Sequence, residues 1–173
     1  MRTVEGMLHN VKEFAGVRLS KFAEELIKEL EGFDQALDKS YDLRHGDKKI
    51  EVKCSRVIID KGNDDIIDKV LLDSKDMYDT KWICNMQQVK TYCFDILYYI
   101  IFFQDIIYIF KMDSNCVKED KNINYQHKQH RGNINEGQIH IKPSNIKYHI
   151  DNYLHAKIEY EKFIELTKHV KVH

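Results

Sequence analysis

The stretch that decides the fold is residues 40–56, which read SYDLRHGDKKIEVKCSR. Gly46 and Asp47 form a two-residue hairpin signal, and the residues after them place apolar side chains at Ile50 and Val52. Alternation with a period of two is the pattern of a half-buried strand. We therefore predict a β-hairpin whose second strand begins just after the turn.

The turn also predicts which residues face each other. Counting outward from a two-residue loop places Leu43 opposite Ile50 and Asp42 opposite Glu51. Because strand side chains alternate, Lys53 shares the face of Glu51. Opposed like charges repel, and a divalent cation held by carboxylate oxygens offsets that repulsion. With an ammonium beside the metal to orient phosphate and water, the hairpin is a candidate metal-dependent phosphate site.

An ordinary surface hairpin with solvated charges would show the same residues. The acid-x-Lys pattern recurs elsewhere in the chain, for example at Asp73/Lys75, Asp79/Lys81 and Glu119/Lys121. The tripeptide alone therefore carries little information. The copy at Glu51 differs because a hairpin precedes it and brings a second acid to its face. Both interpretations stay open on these residues alone.

Tyr41-Asp42, the glycine turn and the run IEVKCSR at residues 50–56 resemble the core of the PD-(D/E)xK nucleases, most closely that of type II restriction endonucleases. The resemblance implies that Asp42, Glu51 and Val52 bind Mg²⁺. It also implies that Asp42, Glu51 and Lys53 catalyse hydrolysis of a DNA phosphodiester. Tyr41 stands where the family name has proline. The match covers one hairpin closely and the rest of the chain loosely.

Length and composition fit one nuclease domain over residues 1–173. The chain is 43% hydrophobic and 32% charged, as in globular domains. Its net charge of −1 and pI near 6.7 require that any DNA groove be basic only locally. Four cysteines lack CxxC spacing, and we find neither a signal-peptide pattern nor an apolar run of about 20 residues. These features predict a cytoplasmic protein with reduced thiols and no membrane contact.

The flanking sequence predicts an α/β fold with a mixed central β-sheet flanked by helices, like that of restriction endonucleases. Residues 4–30 have helical apolar spacing and end before Gly32, a candidate C-cap. Residues 94–103 and 106–110 predict two adjacent buried strands covered by helices on both faces. Residues 138–142 alternate as an edge strand, and residues 145–166 predict one bent helix or two short ones.

Further candidate site residues lie outside the hairpin. By the resemblance, the N-terminal helix contributes an acid, and the candidates are Glu13, Glu24 and Glu25. Residues 113–138 are rich in amides and basic groups, which contact base edges, so we predict a DNA-recognition loop there; a plain surface loop is the alternative. The candidate DNA-binding residues are Arg56, Gln87, Asn124, Gln126, Lys128, Gln129, His130, Arg131 and Asn133.

The sequence thus predicts a Mg²⁺-dependent, sequence-specific DNA endonuclease of the type II restriction class. We expect it to act on double-stranded DNA as a homodimer, because cutting both strands takes two copies of one site related by a two-fold axis. One alternative is a DNA repair or junction-resolving nuclease of the same fold. Another is a non-catalytic α/β interaction domain whose hairpin only resembles the motif.

Overall fold

The computed structural model describes residues 17–59, 71–126 and 136–170. These residues confirm the predicted fold class, an α/β domain with a mixed central sheet flanked by helices. Two short 3-10 turns accompany the regular elements, at Ser74–Asp76 and Lys121–Ile123. In chain order the regular elements are α1 (Val17–Glu31), β1 (Asp34–Gln35), β2 (Leu43–His45), β3 (Lys48–Arg56), β4 (Ile58–Ile59), β5 (Trp82–Val89), β6 (Ile96–Phe102), β7 (Ile107–Asp113), α2 (Ser114–Glu119), β8 (Tyr125–Gln126), β9 (Gly137–Ile141), α3 (Pro143–Tyr153), β10 (Leu154–Ile158) and α4 (Tyr160–Thr167).

The large sheet has the strand order β1-β2-β3-β6-β7-β10. β3 and β6 are parallel, and the other neighbours are antiparallel. β6 and β7 are adjacent, as their apolar sequences predicted. In β6, Tyr98 and Ile100 enter one core while Leu97 and Tyr99 enter the other. Burial on both faces explains why this strand is a continuous apolar run.

The two faces of the large sheet are covered differently. One face packs against α1 and α4. The other packs against α3 and a second sheet of order β4-β5-β9-β8. Helices therefore lie on both faces, as predicted, but the second sheet shares the second face with α3. The second sheet packs on this face through β5, whose alternating residues Trp82, Cys84 and Met86 are buried in the core.

The predicted hairpin is present, with Leu43 opposite Ile50 and Gly46 at a φ of 58°. A left-handed φ is one that glycine adopts without strain. Asp42 lies just outside β2, and its N–H donates to the Ile50 carbonyl at 3.0 Å. The predicted strand pairing of Asp42 with Glu51 is therefore wrong. β2 begins only at Leu43, which pairs with Ile50. The described residues therefore provide no strand partner for that edge of β3 after Ile50.

α1 is amphipathic, and Leu26 and Ile27 on its inner face are fully buried. Gly32 ends the helix as predicted, with a φ of 69°. The Phe33 N–H donates to the Lys28 carbonyl at 3.0 Å, which is the bond of a Schellman C-cap. The part of the predicted helix that precedes α1 lies outside the described residues.

The C-terminal region differs from its prediction in two places. β9 pairs with β5 on one side and β8 on the other, so it is not an edge strand. Residues 154–158, predicted to be helical, form β10 at the edge of the large sheet beside β7. Leu154, Ala156 and Ile158 alternate as in a strand, but the two large apolar residues, Leu154 and Ile158, are four apart, a spacing that also fits a helix. Within the described segments we find no helix that is long and apolar enough to span a membrane.

Candidate active site

A cleft of about 740 Å³ lies along the open edge of β3, between α1 and β5. It exists because β2 is too short to cover the C-terminal half of β3. Six of the residues that the sequence predicted for the site line it: Glu24, Asp42, Val52, Lys53, Arg56 and Gln87. These residues come from four separate parts of the chain, and only the fold brings them together.

The hairpin residues form a connected group at this edge. Asp42 Oδ2 accepts a hydrogen bond of 2.8 Å from the Val52 N–H. Lys53 Nζ lies 2.5 Å from Glu51 Oε1, and Glu51 is only 6% exposed, just behind the cleft wall. The Val52 side chain is apolar and buried, so the only oxygen it can offer to a metal is its main-chain carbonyl.

Two carboxyl groups of the site, those of Glu51 and Glu24, have raised pKa values. Burial raises the pKa of Glu51, the charge of Asp42 raises it further, and Lys53 only partly counteracts both. Burial also raises the pKa of Glu24 to about 7, again with a contribution from Asp42, and with Lys53 opposing it. Three acids thus share the site with the Lys53 ammonium, and Lys21 and Lys90 contribute weaker opposing charge. The repulsion that the sequence predicted is present, although Asp42 reaches the site from outside the strand ladder.

The structure distinguishes among the three candidate helix acids. Glu24 lines the cleft, Glu25 does not, and Glu13 lies outside the described residues. Burial raises the pKa of Glu25, but hydrogen bonds from His169 and Lys28 outweigh burial and leave the pKa below its ordinary value. Glu25 therefore belongs to ion pairs that join α1 to the end of α4.

Glu25 also belongs to a group of potential metal ligands outside the cleft. Ligand atoms of Glu25, Glu29 and His169 lie within 4.8 Å of one another. His169 Nε2 already lies 2.8 Å from Glu25 Oε1. This arrangement is accounted for by an ion pair and gives no evidence for Mg²⁺.

Two cysteines in the cleft do not provide a nucleophile. Cys54 and Cys84 both line it. Burial raises the pKa of each thiol to about 12, and the reactive form of cysteine is the thiolate. At neutral pH both side chains remain protonated. The chemistry available at this edge of β3 is therefore that of its carboxylates and its lysine.

The cleft acids have the donor type that a hard divalent cation selects, although among the described residues their oxygens do not form a group within 4.8 Å as the ligand atoms of Glu25, Glu29 and His169 do. The oxygens of Glu24, Asp42 and Glu51 are the ligand type that Mg²⁺ and Ca²⁺ select. Burial first, and the charge of Asp42 in addition, raise the pKa values of Glu24 and Glu51, and Lys53 does not fully offset them. A bound cation would favour the ionised carboxylates that burial and repulsion now disfavour.

A second hollow of about 460 Å³ adjoins the same acids. Glu24 and Asp42 line it together with the loop of residues 35–41. Asp38 and Lys39 in that loop carry opposite charges, so the hollow has no strong charge of its own beyond the two shared acids. Glu24 and Asp42 therefore stand where two depressions meet, which would allow an extended ligand to cross them.

The predicted recognition loop is only partly covered by the structure. Its described part is folded, with α2, a 3-10 turn and β8. Asn124 has a φ of 58° and donates through Nδ2 to the His140 carbonyl at 3.3 Å, and Gln126 is exposed on β8. Neither residue lines the cleft. Lys128, Gln129, His130, Arg131 and Asn133 lie outside the described residues.

The candidate residues chosen from the sequence leave out four polar residues that line the cleft, namely Ser20, Ser55, Asn85 and Gln88. Asn85 could have been found, because alternation along β5 places it on the same face as Ile83 and Gln87. Its Oδ1 lies 2.7 Å from His140 Nδ1. Gln88 breaks the alternation, so no pattern of period two predicts its position.

Comparisons of the chain with protein-family models, with curated proteins and with solved structures found no match. The resemblance to PD-(D/E)xK nucleases therefore depends on the hairpin residues. It remains a prediction.

Proposed function

We propose that the protein is a Mg²⁺-dependent DNA endonuclease that hydrolyses phosphodiester bonds. The observation that carries this proposal is the convergence of Glu24 from α1 with Asp42, Glu51 and Lys53 from the hairpin at one open strand edge. A solvated surface hairpin would leave its acids exposed, whereas Glu51 is buried and Glu24 has a pKa near 7. Perturbed titratable groups gathered in a cleft are typical of functional sites.

The roles follow from position and chemistry. Asp42, Glu51, Glu24 and the Val52 carbonyl would hold the cation. When bound, Mg²⁺ supplies an electrophile for a phosphate oxygen and a more acidic water. Lys53 donates from the cleft wall, where its ammonium stabilises charge that develops on the phosphate. The Val52 N–H fixes the Asp42 carboxylate at 2.8 Å, so that acid is already oriented.

The surroundings support a polynucleotide substrate. Arg56 lies in the main cleft, and the adjoining hollow lets a strand continue past Glu24 and Asp42. We propose double-stranded DNA as the substrate and a homodimer as the acting form, since two copies of the site cut both strands. All four cysteines are free, as is usual for proteins of the reducing cytoplasm. We therefore propose that the protein acts in the cytoplasm as a type II restriction enzyme.

The test is cleavage of unmethylated phage DNA in Mg²⁺ or Mn²⁺, with the fragment ends sequenced. We expect discrete fragments from the wild type and none from Glu51→Gln or Asp42→Asn. Asp42→Asn retains an oxygen to accept the Val52 N–H, so the hairpin should stay folded. Both variants keep the side-chain shape and remove only a charge.

The chain supplies its own matched control. Asp73 and Lys75 form the same acid-x-Lys tripeptide, with their charged atoms 3.7 Å apart, but they do not line the cleft. Asp73→Asn should therefore cut like the wild type. Absence of any metal-dependent DNA cleavage by folded wild-type protein would refute the proposal, as would wild-type rates in Glu51→Gln.

A further inference from the structure

The end of β5 that faces the cleft contains a β-bulge. The register with β9 shifts between Met86 and Val89, and Gln87 and Gln88 lie within that shift. Met86 and Val89 are both fully buried. In a regular strand, residues three apart point to opposite faces. The bulge therefore admits both apolar side chains to the core while it leaves the two glutamines exposed at the cleft.

The bulge holds Gln88 in an unfavourable backbone conformation. Its φ is 55°, a left-handed value that glycine and asparagine adopt more readily than glutamine does. Backbone outliers of this kind cluster at functional sites, and bulges re-aim side chains beside active sites. A glutamine at this position keeps an amide in the cleft.

Contacts from neighbouring strands support the bulge. The Tyr125 hydroxyl donates to the Val89 carbonyl at 3.1 Å. One residue further on, Lys90 Nζ lies 2.9 Å from Glu136 Oε1. The Tyr125 hydrogen bond holds the backbone just after the bulge, and the Lys90–Glu136 ion pair joins the next side chain to the residue that precedes β9. The two glutamines therefore lie on a strand whose position is held by side-chain contacts, and not on a free loop.

The chemistry of the two glutamine side chains differs from that of Asp42, Glu51 and Lys53. Phosphate contacts come mainly from cations and carry no sequence information. An amide donates and accepts at once, and it pairs with both polar atoms on the major-groove edge of adenine. Within residues 17–59, 71–126 and 136–170, no side chain hydrogen-bonds the Gln87 amide.

We propose that Gln87 and Gln88 read the DNA sequence, by hydrogen bonds to base edges in the major groove of the duplex whose phosphate lies at the carboxylates. The inference rests on the proposed nuclease function and moves sequence recognition from residues 113–138 to the bulge of β5. Gln87 and Gln88 line the same cleft as Asp42 and Lys53. One bound duplex would therefore contact the two glutamines and the proposed catalytic residues at the same time.

The test is selection of bound duplexes from a randomised DNA pool, with Ca²⁺ in place of Mg²⁺ so that cutting does not interfere. The variants are Gln87→Ala and Gln88→Gly. Glycine tolerates a φ of 55°, so Gln88→Gly removes the amide without straining the backbone. Gln126→Ala is the matched control, because Gln126 is an exposed glutamine of the predicted loop that does not line the cleft.

We expect the wild type and Gln126→Ala to enrich the same sequence. Each bulge variant should lose discrimination at one or two base pairs, by about 5-fold to about 100-fold per lost bidentate contact. Unchanged selectivity in both bulge variants, or no wild-type preference at all, would overturn the inference even if the wild type cuts DNA. If the wild type neither binds nor cuts DNA, the nuclease proposal fails as well. DNA cleavage by the wild type therefore distinguishes failure of this inference from failure of the nuclease proposal.

Discussion

Replacing Glu24 by glutamine should stabilise the metal-free protein while it impairs the proposed site. Glu24 is a carboxyl group whose pKa is raised from 4.5 to about 7, first by burial and then by Asp42. The folded state therefore holds a proton that the unfolded state releases. Stability contributed by this proton is complete below pH 4.5 and is lost as the pH rises through 7. Glutamine imitates the protonated form at every pH.

The magnitude follows from the size of that shift. At about 1.4 kcal/mol for each pH unit, the difference between 4.5 and about 7 corresponds to about 3 kcal/mol. Because Glu24 lines an open cleft and is partly solvated, we reduce this figure to about 2 kcal/mol. For a chain of this length that is an increase in Tm of roughly 4–8 °C. The gain should appear at pH 8 and vanish below pH 4.5.

The assay is thermal unfolding of the wild type and Glu24→Gln from pH 4 to pH 8, in EDTA and then in Mg²⁺. Mg²⁺ should raise the Tm of the wild type more than that of the variant, because one ligand is gone. Glu25→Gln is the control on the same helix. Its carboxylate has a lowered pKa, so its loss should not stabilise the protein. A Tm difference for Glu24→Gln that is negative at pH 8, or equal at all pH values, would refute the reasoning.

Two further predictions concern single residues. Lys53→Ala should bind duplex DNA in Ca²⁺ as the wild type does but cleave at least ~100-fold more slowly in single turnovers; equal losses of binding and cleavage would make Lys53 a phosphate anchor. Gly137→Ala should lower the free energy of unfolding by about 1–3 kcal/mol in urea, because a Cβ there would lie 2.3 Å from the Tyr125 ring. Tyr125→Ala in the same background should recover part of that loss, and no recovery would contradict the steric explanation.

Local patterns in the sequence predicted much of the fold. The glycine turn gave the hairpin register from Leu43 to Ile50, and Gly32 gave the end of α1. The strand at residues 154–158 was missed because apolar spacing of four suits either period, and pairing with β7 decided the outcome. Long-range pairing of this kind is invisible to any local pattern.

The same division holds for the candidate site. Residue type and hairpin geometry identified Asp42, Glu51 and Lys53. Choosing Glu24 over its neighbour Glu25 required the rotation of α1 against the sheet, which depends on packing. The bulge at Gln88 depends on how β5 pairs with β9. The alternation of residues along β5 alone could therefore not predict it.

The parallel pairing of β3 with β6 has a consequence for how the molecule is made. Glu51 is opposite Leu97 in that pairing, whereas the hairpin that carries Glu51 closes within a few residues. Contacts between residues far apart in sequence form slowly, and synthesis adds only about 5–20 residues each second. A growing chain therefore displays its acidic hairpin for several seconds before β6 exists to bury Glu51. β5, which forms the other wall of the cleft, pairs with β9 and is completed later still, so an incomplete chain carries the residues of the candidate site without the cleft that brings them together.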